Sequence, residues 1–412
     1  MKVETLTKTE MWVEKKEGNI CTPIGFMAGG LHCGIKRKRK DLGWIYSTVA
    51  ANAAAVYTTN QFQAAPLKVT QESIAKDGTL QGILVNSGNA NSCTGKTGLE
   101  NAYKMRKLFA EKTDLQEHNI AIISTGVIGE QLPIEKIEKG VESISAIDST
   151  LDASSFEESI LTTDTFTKNV CFQMQIGGKT ITIAGAAKGS GMVHPNMATM
   201  LGFVTTDAKI NPKALHQALK EVTTDTFNMI TVDGDTSTND MVLVLANGMA
   251  GNEEIQQNDL DYLVLKEGLQ LICQSLAQQI ARDGEGATKL IEVHVKGAET
   301  VHGAQVIAKT IVGSSLVKTA VYGEDPNWGR IVSAVGYSGI KIDTEEIQVK
   351  IGPIEVVQKG MPVPFSEEDA KNYLKNERIE IMVDLFAGDH QATAWGCDLS
   401  YDYVRINASY RT

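Results

Sequence analysis

Short apolar runs of strand length alternate with amphipathic stretches of helix length along the whole chain, and no low-complexity linker or internal repeat separates them. A chain patterned this way folds by laying helices on sheets, because each run has an apolar face that must be covered. Residues 82–86 (GILVN) read as a buried strand entering a Gly/Asn-rich turn. Leu99 to Glu111 follows with Ala102, Met105, Leu108 and Phe109 at helical spacing. Ile120 to Ile123 reads as another buried strand, ending in the turn Ser124-Thr125-Gly126. A helix is expected with Pro133 in its first turn, and another from Asn211-Pro212 through Leu219, a capping residue before a proline. Met241 to Leu245 is a strongly apolar strand, and Leu260 to Ile280 a long amphipathic helix stopped by Asp283-Gly284-Glu285-Gly286.

Beyond that stop the pattern changes. Ile291, Val293 and Val295 alternate with Glu292, His294 and Lys296, as in a half-exposed strand; Ile347/Val349/Ile351 and Ile379/Ile381/Val383 repeat the pattern. The expectation is an α/β (α+β) chain with a larger unit, 1–283, and a smaller α+β unit, 284–412. A length of 412 residues suits two such units.

A net charge of −11 excludes a nucleic-acid surface, which needs concentrated Lys and Arg. The one basic run, Lys36 to Lys40, has no interleaved aromatics and reads as a solvated hairpin or loop tip. Cys21, Cys33, Cys93, Cys171, Cys273 and Cys397 form no C-x-x-C pair, and no His stands at zinc-ligand spacing from them, so no metal is expected. Residues 1–5 (MKVET) lack the apolar core of a signal peptide, and no apolar run reaches membrane-spanning length. The chain therefore reads as cytoplasmic, with reduced thiols and no membrane partner.

Residues 187–206 (AKGSGMVHPNMATMLGFVTT) are the most informative stretch. A flexible Gly-x-Gly segment and a rigid proline lead to small Ala198 and to Thr199, which heads an apolar run. A threonine placed so is suited to attack the Ala198 carbonyl. An N→O acyl shift and hydrolysis would then leave an N-terminal threonine, whose amine can serve as base for its own hydroxyl. Taken alone, a threonine before a strand is more often structural.

The stretch resembles the processing site of the ornithine acetyltransferases, also called glutamate N-acetyltransferases, whose chains cut themselves at an Ala-Thr bond within a K-G-S-G-M…A-T-M-L motif. Lys188 to Met192 and Ala198 to Leu201 match it. The likeness extends to residues 86–91 (NSGNAN), 162–165 (TTDT), 231–239 (TVDGDTSTN), 283–289 (DGEGATK), 323–330 (GEDPNWGR) and 407–412 (NASYRT). It implies a self-processing, N-terminal-nucleophile-like layered sandwich of the ornithine acetyltransferase/aminopeptidase type. It implies cleavage between Ala198 and Thr199 into chains 1–198 and 199–412, assembled as a heterotetramer with two copies of each.

Thr199 is then the nucleophile, and Thr125 and Gly126 hold the oxyanion. Thr162, Lys188, Thr199, Glu285, Asn407 and Thr412 contact substrate. The implied reaction moves acetyl from N-acetylornithine to glutamate in arginine synthesis. No cofactor is bound, and acetyl-CoA is a co-substrate in some members. Substrates carrying a carboxylate and an ammonium need opposite charges in their site, which Lys188 and Glu285 supply. Tyr401, Tyr403 and Ile406, with Asp402 between, are expected to anchor a strand that returns the tail to the site. Two other readings stand beside this one: an aminopeptidase or amidase with the same acyl-enzyme, and a binding protein that cuts itself only for assembly.

Three lesser motifs compete. Gly88 to Thr97 lies between a strand and a helix but lacks P-loop spacing. His194 with Asp207 or Asp233 suggests a triad, yet no G-x-S-x-G elbow exists. Asp233, Asp235 and Asp240 suggest a metal, but their spacing favours hydrogen-bonded turns.

Overall fold

The structure is a computed structural model that describes residues 12–194 and 200–409. Among these, sixteen strands form two sheets. In chain order the strands are β1 (Val13–Glu14), β2 (Phe26–Leu31), β3 (Leu42–Tyr57), β4 (Thr79–Asn89), β5 (Ile120–Val127), β6 (Lys168–Ile176), β7 (Lys179–Lys188), β8 (Leu201–Thr206), β9 (Ile230–Thr231) and β10 (Met241–Ala246). Then come β11 (Leu290–Ala298), β12 (Gln348–Ile351), β13 (Ile354–Gln358), β14 (Met361–Pro362), β15 (Arg378–Asp384) and β16 (His390–Cys397). The first sheet has the order β1-β6-β7-β8-β10-β3-β4-β5, with β2 on β3; the second runs β14-β13-β12-β15-β11-β16-β9.

β10 shows why its sequence is continuously apolar. Val242, Val244 and Ala246 point into one core and Met241, Leu243 and Leu245 into another, so neither face meets water. The first core lies under the helices Pro212–Asp225 and Leu260–Arg282 and continues without a break into the second sheet. Ile272, Leu276 and Ile280 of the long helix share it with Ile291, Val293, Ile307 and Ile311. On the opposite face the helix Ala153–Ile160 lays Phe156 edge-on against Phe203 of β8, with ring centroids 5.2 Å apart. A third core packs the helices Ala65–Asp77, Gly95–Thr113 and Ile134–Ser143 against β4 and β5.

The helix from Pro212 is capped as expected, Asn211 accepting from Lys213 N, but it runs on to Asp225. Pro133 sits at the cap of its helix and not in the first turn. Four expectations are corrected more substantially. Ser124-Thr125-Gly126 is not a turn: β5 continues through it to Val127, paired in parallel with β4. β11, between β15 and β16, is half-exposed only from His294 to Lys296; Glu292 is only 4% exposed, taking hydrogen bonds from Arg378 and His294. The basic run is the tip of the β2–β3 hairpin, exposed at Arg37, Lys38 and Arg39 as expected, but its two ends are anchored. Asp41, fully buried, accepts from the amides of Cys33, Gly34 and Lys36, and Lys36 Nζ reaches Leu161 O at 2.6 Å.

The fourth correction concerns the tail. Tyr401–Ser409 is a helix and not a strand. Its i,i+4 pair, Tyr403 and Asn407, faces the cavity described below, and a Cβ on Gly286 would come within 2.7 Å of Tyr403 N. Helical spacing, which puts Tyr403 and Asn407 on one face, overrides the Tyr-Asp-Tyr alternation. Among the described residues no helix is long and apolar enough to cross a membrane.

Phe203 is fixed by this layering rather than by any site. Phe203→Ala should cost about 3–5 kcal/mol, read as a lowered denaturant midpoint with secondary structure unchanged before the transition.

Candidate active site

The far ends of β5 and β7, the start of β8, the loop before β10 and the turn after the long helix enclose one cavity of about 260 Å³. Thr125, Gly126, Thr162, Lys188, Glu285 and Asn407 all line it, although they come from five separate segments. Ala198, Thr199 and Thr412 lie outside the described residues. Met200 and Leu201, which follow Thr199 in the chain, line the cavity as well.

Gly126 has φ +134°, and a Cβ there would lie 2.3 Å from Gly88 C and 2.5 Å from Asn89 N. The position is reserved for glycine by conformation and by the approach of β4 together. Lys188, at the end of β7 and almost buried, brings Nζ to 3.5 Å from Thr125 Oγ1. Glu285 accepts from Asn407 Nδ2 at 2.7 Å, and a Cβ on Gly191 would collide with its carboxylate at 2.4 Å. The cation and the anion expected from the sequence therefore share the cavity.

A buried ion network holds these groups. Lys168 Nζ, with no exposure, donates to Asp164 Oδ1 at 2.8 Å and Asp283 Oδ2 at 2.5 Å. Asp164 accepts in turn from Thr162 N at 2.9 Å and Gly189 N at 2.7 Å. Asp283 receives Thr165 N through its carboxylate and Ser190 Oγ through its carbonyl, and Glu285 N bonds Ser190 O at 3.1 Å. Burial by itself would raise the Asp164 carboxyl. The Lys188 and Lys168 ammoniums overcome it and hold the group well below the usual carboxylate range. No sequence period signals this network; its one local trace is the four-residue spacing of Asp164 and Lys168.

The loop before β10 is also self-bonded. Asp233 accepts from the amides of Met192, Val193 and Asp235, which fits a hydrogen-bonded turn, and Asn239 Nδ2 donates to Ala90 O and Ser124 O, tying the loop to β5. Among the described residues no group of three His, Cys, Asp or Glu is placed to hold a metal ion. His194 Nδ1 lies 2.9 Å from Thr231 Oγ1. Burial, with help from the Lys309 cation, pushes its imidazole down to about 4 against Asp235. Asp207 bonds Ile24 N and Thr182 N instead, so no triad forms. In the segment after Gly88, Asn91 bonds Thr94 Oγ1 and Gly98 O, filling its loop with its own side chains.

A two-sheet α/β frame with a polar cavity, a nearly buried ammonium, a nearly buried carboxylate and a strand-end glycine defines a small-molecule enzyme. A model of the ArgJ family matches residues 27–412, and the chain belongs to that family. It is 54% identical over 410 residues to arginine biosynthesis bifunctional protein ArgJ of Oceanobacillus iheyensis, covering 100% of both chains. Against the protein of the same name from Geobacillus kaustophilus it is 56% identical over 396 residues, covering 96% of this chain and 97% of the relative. A crystal structure of arginine biosynthesis bifunctional protein ArgJ from Bacillus halodurans aligns at TM-score 0.50 and 56% identity, covering 50% of this chain and 98% of that one.

Two outcomes follow from the electrostatics. Lys168→Met leaves two buried carboxylates without their cation and should cost about 3–5 kcal/mol, seen as a lower unfolding midpoint at pH 7. His194 is neutral when folded and ordinary when unfolded, so its contribution is full above pH 6.5 and lost as pH falls through about 4. His194→Gln should flatten the decline of Tm across that interval.

Proposed function

We propose that the chain transfers the acetyl group of N2-acetyl-L-ornithine to L-glutamate through an acetyl-threonine on Thr199, exposed by cleavage after Ala198. The observation that carries this reading is the convergence of Thr125, Gly126, Thr162, Lys188, Glu285 and Asn407 on one cavity. Relatives more than half identical over the whole chain carry an arginine-biosynthesis name. The solved Bacillus halodurans chain, which spans half of this one, has the length that processing would yield.

In the first half-reaction the Thr199 hydroxyl attacks the acetyl carbonyl while its own α-amine takes the proton. Thr125 and the Gly126 amide stabilise the oxyanion. Lys188 binds the substrate carboxylate and Glu285 the distal ammonium, with Thr162, Asn407 and Thr412 completing the contacts. Glutamate then accepts the acetyl group, and acetyl-CoA serves as a second donor at the same threonine. Residues 1–283 form the catalytic unit and 284–412 the smaller one. The working form is a cytoplasmic heterotetramer of two 1–198 and two 199–412 chains, needing no bound cofactor.

Denaturing mass spectrometry should resolve the 44.5 kDa chain into two fragments of similar mass, the second beginning Thr-Met-Leu-Gly. Thr199→Ala should stay whole, and Thr199→Ser should cut. An active protein that remains one chain overturns the reading. Incubation with N-acetylornithine should give acetylglutamate when glutamate is present; acetate formed equally with or without glutamate would mark an amidase. Thr125→Ala should lower kcat by about 10²-fold or more with KM little changed, the scale of a lost oxyanion donor. Gly126 is unsuitable for that test, because any side chain there collides with the β4 backbone.

A further inference from the structure

Asp240 has no part in the chemistry above, yet it lines the same cavity and is only 4% exposed. It stands immediately before β10, whose first residue, Met241, pairs with Leu201 and donates its amide to Met200 O at 3.0 Å. The side chain is therefore placed beside the strand that continues from Thr199 in sequence. Its backbone is pinned on both sides. Asp240 O accepts from Thr58 N, and the preceding Asn239 is tied to Ala90 and Ser124.

The carboxyl itself is only half satisfied. Ser237 donates to it from its amide and its hydroxyl, while among the described residues no donor reaches Oδ2. A buried carboxyl oxygen without a partner destabilises a fold, and an apolar residue would fill the space without that cost. Burial drives this carboxyl well above the usual range, opposed by the Lys188 ammonium. With no described donor on Oδ2, that oxygen is the one open to a proton, and the Lys188 ammonium favours the anion once the proton leaves.

We propose that Asp240 is the general acid and general base of the acetyl transfer, its Oδ2–H serving the amine nitrogen in both half-reactions. The inference rests on the reading that Thr199 carries the acetyl group. An amide nitrogen cannot depart as an anion; it must gain a proton as the C–N bond breaks. In the first half, the bond from Thr199 Oγ to the acetyl carbon forms and the Oγ proton passes to the Thr199 α-amine. The C–N bond then breaks as Asp240 Oδ2–H protonates the nitrogen, releasing ornithine with a neutral amine and leaving Asp240 ionised. In the second half, the neutral amine of glutamate attacks the acetyl carbon and gives a proton to the Asp240 carboxylate. Thr199 Oγ departs with the proton held on its own ammonium, which restores the starting enzyme. Both half-reactions exchange one amide for one amine, so a single group serves as acid in one and base in the other. The rival proton source is the Thr199 ammonium acting alone.

The test compares Asp240→Asn with the wild type on two acetyl donors. Acetylation by 4-nitrophenyl acetate expels nitrophenolate, which needs no proton, whereas N-acetylornithine expels an amine, which does. In the variant, self-cleavage and Tm should hold and the nitrophenolate burst should persist. kcat/KM for N-acetylornithine should fall by about 10²–10⁴-fold, the scale of general acid-base catalysis. Equal loss with both donors makes Asp240 structural, and loss with neither assigns the proton to Thr199; each result overturns the proposal.

Should Asp240→Asn fail to fold or cut, the wild type decides the matter. Its amide turnover should fall at alkaline pH where nitrophenolate release does not, and identical alkaline limbs overturn the role. Lys188 on β7, Asp233 and Asp235 in the facing loop, Glu285, and Tyr403 on the tail helix line the cavity with Asp240. Lys188 and Glu285 grip only the amino-acid donor, so its profile is read as kcat at saturation, where groups paired with bound substrate no longer titrate; Asp233, Asp235 and Tyr403 face both donors, and the difference between the two profiles then reads Asp240. A wild type that forms acetyl-enzyme from the ester but moves no acetyl between the two amino acids overturns the parent reading, and this one with it.

Discussion

The ammonium of Lys168 is the constraint on which the cavity depends. It has no exposure and binds two carboxylates, Asp164 and Asp283, that come from opposite sides of the site. Each carboxylate organises its own neighbourhood: Asp164 sets the Thr162 turn and the chain at Gly189, and Asp283 sets Thr165, Ser190 and the approach to Glu285. Burying one cation and two anions is unfavourable unless every remaining lone pair is used, and here backbone amides use them. The same arrangement can position a substrate cation site and a substrate anion site at a fixed separation, because both ends are tied to one atom.

Lys188 and Glu285 lie nearly buried beside that network. Lys188 faces the Asp164 carboxylate, which is held ionised, and contacts the Thr125 hydroxyl. Glu285 has the Asn407 amide as a donor from the tail helix. On the function proposed above, these two groups meet the opposite charges of the amino-acid substrate. Asp240 stands apart from both, sharing the cavity but lacking, among the described residues, a donor on one oxygen. Burial raises the Asp240 carboxyl while the Lys188 and Lys168 ammoniums hold the Asp164 carboxyl low, so environment alone gives two aspartates different proton affinities.

What could be read from the sequence follows a physical line. The apolar run at β10 and the amphipathic Leu260–Arg282 helix were legible because burial on two faces and on one stripe leave periodic traces. Thr125, Gly126, Thr162, Lys188, Glu285 and Asn407 were legible as residues through motif likeness, and they do share a cavity. Their settings were not. Ser124-Thr125-Gly126 has turn composition, yet parallel pairing with β4 keeps it in a strand, with glycine needed for the approach of Gly88. Tyr401 to Ile406 alternates like a strand, but the segment is a helix with Tyr403 and Asn407 on its cavity face. Lys168 was invisible because its partner Asp283 is far along the chain, and Asp240 was weighed only as a metal ligand. Burial without a partner is a property of three dimensions and leaves no pattern in one.

The strand order also bears on why a cut after Ala198 would not scatter the molecule. β8 and β10, which belong to 199–412, lie in the middle of the first sheet, with β7 on one side and β3 on the other, both from 1–198. Lys188 pairs with Leu201 across the antiparallel β7–β8 ladder, and Met241 to Ala246 pair with Tyr57 to Asn52 along β3. Separating the fragments would break two backbone ladders at once and open both cores that meet on β10. The cavity is divided in the same way: Thr125, Gly126, Thr162 and Lys188 come from the first segment, and Asp240, Glu285 and Asn407 from the second. Hydrolysis of that one peptide bond would thus leave a cavity that neither fragment could build alone, while the sheet supplies the connection that the bond would no longer provide.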